Sequence, residues 1–133
     1  MKRGFTCGAF DLMHAGHVMM LRDARSVCDY LIVGLHTDPS IDRPDKSRPV
    51  QSVEERRIQL EGCRYVDEVV QYDTEEGLYI LLQKLTPDIR IVGQDWLGKD
   101  FTGRDLPIPI YFNKREHHWS TTYLRMRVMQ ASQ

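Results

Sequence analysis

The chain has 133 residues, 41% of them hydrophobic and 28% charged, with a formal net charge of -1. That length and balance fit one compact soluble domain over residues 1–133, and the near-zero charge argues against a bulk nucleic-acid binder, which carries a basic excess. The longest apolar run, Tyr30 to Leu35, is far too short to cross a bilayer, and Met1-Lys2-Arg3 leads into a strand-length segment rather than a signal peptide, so no membrane association and a cytoplasmic location are expected. Cys7, Cys28 and Cys63 are widely spaced with no CxxC, which suggests reduced, mostly buried thiols.

In chain order, Gly4 to Cys7 reads as a first strand ending at Gly8. A helix follows from about Gly16 to about Val27, with Val18, Met20, Leu21 and Ala24 on one face. Tyr30 to Leu35, continuous, apolar and rich in branched residues, predicts a strand buried on both faces. His36 to Gln51 holds three prolines and no periodicity, and reads as a long functional loop. Ser52-Val53-Glu54-Glu55 matches a capping box and opens a helix to about Glu61. Val66 to Val70 predicts a strand and Thr74 to Leu85 a helix ended by Pro87. Ile89 to Val92 predicts the fourth strand. After a glycine-containing loop, Ile108 to Phe112 predicts a fifth strand at a sheet edge, since Pro109 cannot donate to a ladder. Ser120-Thr121-Thr122 caps a last helix through Val128. The expected architecture is an open, doubly wound, five-stranded parallel α/β sheet of Rossmann-like type.

Ligands of such sheets bind beyond the carboxyl ends of the strands. The strand-end segments here are Cys7 to His17, His36 to Asp38, Gly93 to Trp96 and Arg115 to Thr122, and every histidine falls in one of them. In the first, His14 and His17 stand three residues apart at a helix N-terminus, where unpaired N–H groups and the helix dipole favour anions. Imidazole N–H groups there can donate to phosphate oxygens, and Gly16 lets backbone approach a phosphate closely. Two alternatives stand beside this one: a histidine pair that merely packs, and a zinc site made by Asp11, His14 and His17, which lacks a further strong ligand nearby.

The run Gly8-Ala9-Phe10-Asp11-Leu12-Met13-His14-Ala15-Gly16-His17 resembles the HxGH signature of the nucleotidyltransferase superfamily, in its cytidylyltransferase branch. Arg64-Tyr65-Val66-Asp67-Glu68-Val69 is similar to that branch's RYVDEV segment, Gly93-Gln94-Asp95-Trp96 to its GxDW segment and Ser120-Thr121-Thr122 to its ISTT segment. The resemblance, strongest to the glycerol-3-phosphate cytidylyltransferase group, implies transfer of CMP from CTP to a small phosphorylated alcohol with Mg²⁺ assistance, in a homodimer. Carried over by position, His14 and His17 contact the triphosphate, Lys46 reaches the phosphates from the long loop, and Arg115 supplies charge toward the triphosphate. Arg56 and Arg64 would add positive charge, and Asp11 would order the turn or a metal-bound water. Gly8, Ala9, Phe10 and Gly16 would shape the phosphate turn, Gly93, Asp95 and Trp96 would border the base, and Ser120 and Thr121 would meet the β- and γ-phosphates. The residues alone also admit plainer roles: Arg56 a solvated helix charge, Arg64 and Asp67 a surface ion pair, Trp96 a core aromatic, and Ser120 and Thr121 simple caps.

The chain departs from that group at Ala9, where a threonine is usual, and at Arg115-Glu116-His117-His118-Trp119, where Arg-Thr-Glu-Gly-Ile is usual. These departures leave two rival expectations open. One is an adenylyltransferase using ATP and a sugar phosphate or pantetheine-like acceptor, and the other a nucleotide-binding regulatory module without turnover.

Overall fold

The computed structural model describes residues 1–132. Five strands, β1 (Arg3–Gly8), β2 (Tyr30–His36), β3 (Glu68–Tyr72), β4 (Ile89–Gly93) and β5 (Ile110–Asn113), form one sheet in the order β3-β2-β1-β4-β5. Every adjacent pair is parallel. The helices are α1 (Ala15–Ser26), α2 (Val53–Glu61), α3 (Glu75–Leu85) and α4 (Thr121–Ala131). The strand order reverses direction between β1 and β4, so the crevice beyond their carboxyl ends is the switch point at which such sheets bind ligands.

Alternation along β2 explains both faces. Leu31, Val33 and Leu35 pack with Leu21 and Ala24 of α1 and Leu60 of α2, while Ile32 joins Phe5, Leu78 and Leu82 on the α3 side. Gly34 makes room for Phe5, whose ring carbon Cζ would lie 2.7 Å from a Cβ there. No α-helix joins β4 to β5, only a 3₁₀ turn at Gln94–Trp96 and a loop; Leu106 and Ile108 of that connection cover the α3 face instead. The capping box of α2 is present with Ser52 and Glu55 in both reciprocal roles.

Two strand boundaries differ from the sequence expectation. β3 begins at Glu68, because Val66 turns back on the Cys63 carbonyl and the Asp67 carboxylate is taken by the Leu31 N–H and by Arg25. It therefore runs on through Gln71 to Tyr72, which stacks on His36. β5 is the edge strand, as Pro109 requires, but pairing proper starts at Ile110; Pro109 contributes its carbonyl to the Arg90 N–H. The cysteines are free, Cys28 buried and Cys7 and Cys63 half-buried. Among the described residues no helix is long and apolar enough to cross a membrane.

Candidate active site

Between β1 and α1 the chain makes a sharp turn in which two non-glycine residues are left-handed, Phe10 at φ 51° and Leu12 at φ 50°. Such conformations cost of order 1–3 kcal/mol each and persist where the surroundings over-determine them. Here Asp11 is the anchor. Its carboxylate accepts the N–H groups of Val50 (2.8 Å) and Gln51 (2.9 Å) and pairs with Arg125 of α4 at 3.1 Å. Gln51 returns the favour by accepting the Leu12 N–H at 2.8 Å. Burial pushes the Asp11 carboxyl up, but the two N–H groups and Arg125 outweigh it and hold the carboxyl below its usual range. Phe10 is buried, with its ring 5.4 Å from that of His17.

α1 is capped by the histidines themselves. The Gly16 N–H donates to His14 Nδ1 (3.0 Å) and the His14 N–H donates to His17 Nδ1 (3.2 Å), a reciprocal capping box. Because Nδ1 accepts in both rings, the proton of each neutral imidazole sits on Nε2. His14 Nε2 lies 3.3 Å from Thr121 Oγ1, whose hydroxyl donates in turn to the Asp11 carbonyl at 3.4 Å. The ring centroids are 4.0 Å apart. Burial and the neighbouring His14 lower His17 to about 4. Burial, His117 and Arg115 lower His14 as well. At neutral pH the pair is thus two uncharged N–H donors at a helix N-terminus.

Two clefts meet at His17. One, of about 280 Å³, is lined by His14, Arg115, His117, Ser120 and Thr121. Ser120 caps α4, accepting the Tyr123 N–H at 3.0 Å, so the first turn of α4 opens onto this cleft beside that of α1. Arg115 donates to the Trp119 carbonyl (3.0 Å) and lies 3.8 Å from Asp95. His117 stacks on Trp119 with centroids 5.0 Å apart. The larger cleft, about 1610 Å³, runs over the carboxyl ends of β1, β2 and β4 and is lined by Gly8, Ala9, Phe10, Lys46, Gly93 and Trp96, among others. Lys46 is exposed at its mouth, and Trp96 is edge-on to Phe101.

Three expected ligand contacts are placed otherwise. Arg56 is 2% exposed, and its guanidinium donates to four carbonyls, those of Ala9, His36, Thr37 and Gln51. It clamps the strand ends and has no free face for a phosphate. Arg64 precedes β3, at the amino edge of the sheet, and lies over the Tyr65 ring, so it is on the wrong side for the crevice. Gly16 is closed in: a Cβ there would stand 2.8 Å from the Trp119 carbonyl and from His14 Cε1, so its missing side chain makes room for protein. Gln51, Asn113 and Arg125 join the site without having been singled out, and His117 joins it without having been assigned a role. Arg125 had no local signal, since its partner lies 114 residues away. His117 had one, the departure from the family pattern.

The donor set does not form a protein-held divalent-metal site. Among the described residues no group of three His, Cys, Asp or Glu side chains could hold an ion, and Asp11 is already engaged.

Residues 5–127 match the family model described as Cytidylyltransferase-like. The chain is 45% identical over 103 residues to the bifunctional protein HldE of Wolinella succinogenes, covering 77% of this chain and 22% of that protein. Against HldE of Campylobacter concisus it is 38% identical over 128 residues, covering 96% of this chain and 27% of that one. It thus spans about a quarter of the length of these relatives. A solved lipopolysaccharide core biosynthesis protein from Thermoplasma volcanium shares the fold, with a TM-score of 0.64 at 18% identity over 99% of this chain and 89% of that one. With the sheet order, the histidine-capped turn and a family match over nearly its whole length, this chain belongs to the cytidylyltransferase-like family of nucleotidyltransferases.

Proposed function

We propose that the protein transfers a nucleoside monophosphate from ATP to a sugar phosphate, releasing pyrophosphate. The observation that carries the transfer chemistry is the locked pair of imidazoles. With Nδ1 of each ring spent on the helix cap, the Nε2–H of His17 is open to an oxygen around a reacting phosphorus, and that of His14, which rests against Thr121 Oγ1, exchanges that contact for one when the phosphate arrives. Nucleotidyl transfer needs positioning and charge stabilisation and no protein nucleophile. An acceptor phosphate oxygen attacks the α-phosphorus in line, the new P–O bond forms, the bond to the β-phosphate oxygen breaks, and pyrophosphate leaves with that electron pair. His14 and His17 donate to the non-bridging oxygens as charge grows on them. Arg115 and the first turn of α4, capped by Ser120 with Thr121, hold the departing β- and γ-phosphates in the smaller cleft. Lys46 meets the acceptor's phosphate at the mouth of the larger one, and Gly93, Asp95 and Trp96 flank the base. Mg²⁺, when bound, would come with the triphosphate and would offset part of its charge.

The choice of ATP and a sugar phosphate over CTP and glycerol 3-phosphate rests on two observations. Relatives at 38% and 45% identity are HldE proteins, and the chain departs from the glycerol-3-phosphate cytidylyltransferase pattern at Ala9 and at residues 115–119. The larger cleft also carries polar side chains within a largely apolar lining, among them Thr6, His36, Tyr72, Glu75, Arg90 and Thr102, groups of the kind that meet acceptor hydroxyls. The second reading, CMP transfer to a small phosphorylated alcohol, is favoured by the four ordered sequence motifs. A pyrophosphate-release panel decides between them: ATP, CTP, GTP and UTP against glycerol 3-phosphate, phosphocholine, phosphoethanolamine and sugar phosphates. Turnover with ATP and a sugar phosphate is expected. Turnover confined to CTP and an alcohol phosphate overturns the donor and acceptor, and tight nucleotide binding without pyrophosphate from any pair points to a regulatory module. We further propose a cytoplasmic homodimer; sedimentation analysis tests the oligomeric state.

A further inference from the structure

Five residues line both clefts: His17, Met20, Gly93, Asn113 and Thr121. His17 and Thr121 are engaged in the chain of hydrogen bonds around the α1 cap, Met20 is apolar, and Gly93 has no side chain. Asn113 is the exception. It closes β5 in register with Gly93 at the carboxyl edge and is 5% exposed, and its Oδ1 is enclosed without a hydrogen-bond partner among the described residues. An unpaired buried carboxamide is costly, and an apolar side chain of the same size would serve packing better. The position it guards is defined by Gly93: a Cβ there would lie 3.8 Å from both Asn113 Oδ1 and Trp96 Cδ1. A ligand lying on Gly93 touches both.

Resting on the nucleotidyl-transfer reading, we propose that the Asn113 carboxamide hydrogen-bonds the ribose hydroxyls of the nucleotide and makes the site selective for ribonucleotides over deoxyribonucleotides. A triphosphate on the His14, Arg115 and Ser120 side with its base against Trp96 crosses the junction of the clefts with its ribose. The chemistry matches. A carboxamide offers an acceptor oxygen and two N–H donors without charge, and a ribose hydroxyl both donates and accepts. A phosphate in that place would use only the donors and would face Oδ1 with an anion.

Calorimetric titration of ATP, 2′-deoxy-ATP and 3′-deoxy-ATP, and of the three CTP counterparts, into wild type and Asn113→Leu tests this without requiring turnover. Wild type is expected to bind at least one ribonucleotide about tenfold or more tighter than its deoxy analogues, the scale of one hydrogen bond lost with its partner left unpaired. Asn113→Leu, which relieves the unpaired group, is expected to melt at or above the wild-type temperature, to bind the deoxy analogues within about twofold of wild type, and to lose the ribose preference. Asn113→Ala gives the same comparison if the leucine variant does not fold. An unchanged ribose preference in the variants, or equal weakening of ribo and deoxy ligands, overturns the Asn113 assignment alone. A folded wild type that binds no nucleotide overturns it together with the transfer reading.

Discussion

His14 does two jobs that can be separated at one position, because its Nδ1 caps α1 while its Nε2 faces Thr121 and the smaller cleft. Asparagine is among the best N-caps but is too short to reproduce the Nε2 donor. His14→Asn is therefore expected to keep its melting temperature near wild type while losing roughly 10²-fold or more in turnover, the usual cost of one transition-state donor. His14→Ala should lose a similar factor and also about 1 kcal/mol of stability from the cap. Pyrophosphate release and thermal melts, run side by side, separate the two effects. Gly16→Ala makes a different point. Its Cβ would press on the Trp119 carbonyl and the His14 ring, so a drop in both stability and turnover is expected although no ligand contact is removed.

At the scale of elements, the two arginines carried over with the family motifs part company. Arg56 ties α2 to the carboxyl ends of β1 and β2 through carbonyls on Ala9, His36, Thr37 and Gln51. Replacing it with methionine preserves most of the volume and leaves four carbonyls unpaired. A loss of about 3 kcal/mol or more in urea unfolding is expected. Arg64, at the amino edge, is expected to tolerate alanine with kcat and KM within about twofold of wild type, the behaviour of an exposed charge. A large rise in KM for the triphosphate would put Arg64 back in the site. α4 buries no side chain fully, and it is held to the site through Arg125 on Asp11 and Thr121 on His14 and the Asp11 carbonyl. The turn that carries the histidines and the helix that faces it thus share the Asp11 carboxylate as an anchor.

For the molecule as a whole, half-buried His17 and buried Asp11 set the response to acid. His17 in the folded state is lowered to about 4 from its ordinary 6.5, so the unfolded chain binds the extra proton first. The stability it contributes is complete above about pH 6.5 and is lost as pH falls toward 4, an effect of order 3 kcal/mol. Asp11, held below the ordinary carboxylate value, adds a second loss that begins only below about pH 4. Unfolding free energy measured by urea at pH 7, 5.5 and 4.5 should therefore fall steadily, and His17→Asn should flatten the slope across that window. An equal slope in the variant would show that the His17 imidazole is not its source.

Local rules in the sequence sufficed for much of this protein. The apolar run of β2, the Ser52 capping box, the helical stripe of α3 and the edge position imposed by Pro109 all depend on neighbours within a few residues, and each stands as read. The histidine pair at the start of α1 was legible for the same reason, since spacing along one helix turn fixes which groups meet. Register and partnership were decided in three dimensions. β3 starts two residues late because Asp67 is claimed by Leu31 and Arg25, and Arg56 is a clamp because three carbonyls from distant segments, those of Ala9, His36 and Thr37, converge on it beside that of Gln51. Arg64 falls on the far edge because strand direction, not sequence motif, determines which end of a parallel sheet a loop occupies. Asp11 with Arg125, and Asn113 beside Gly93, become neighbours only when the strands close the crevice, since a hydrogen bond depends on distance in space and the sequence orders residues only along the chain.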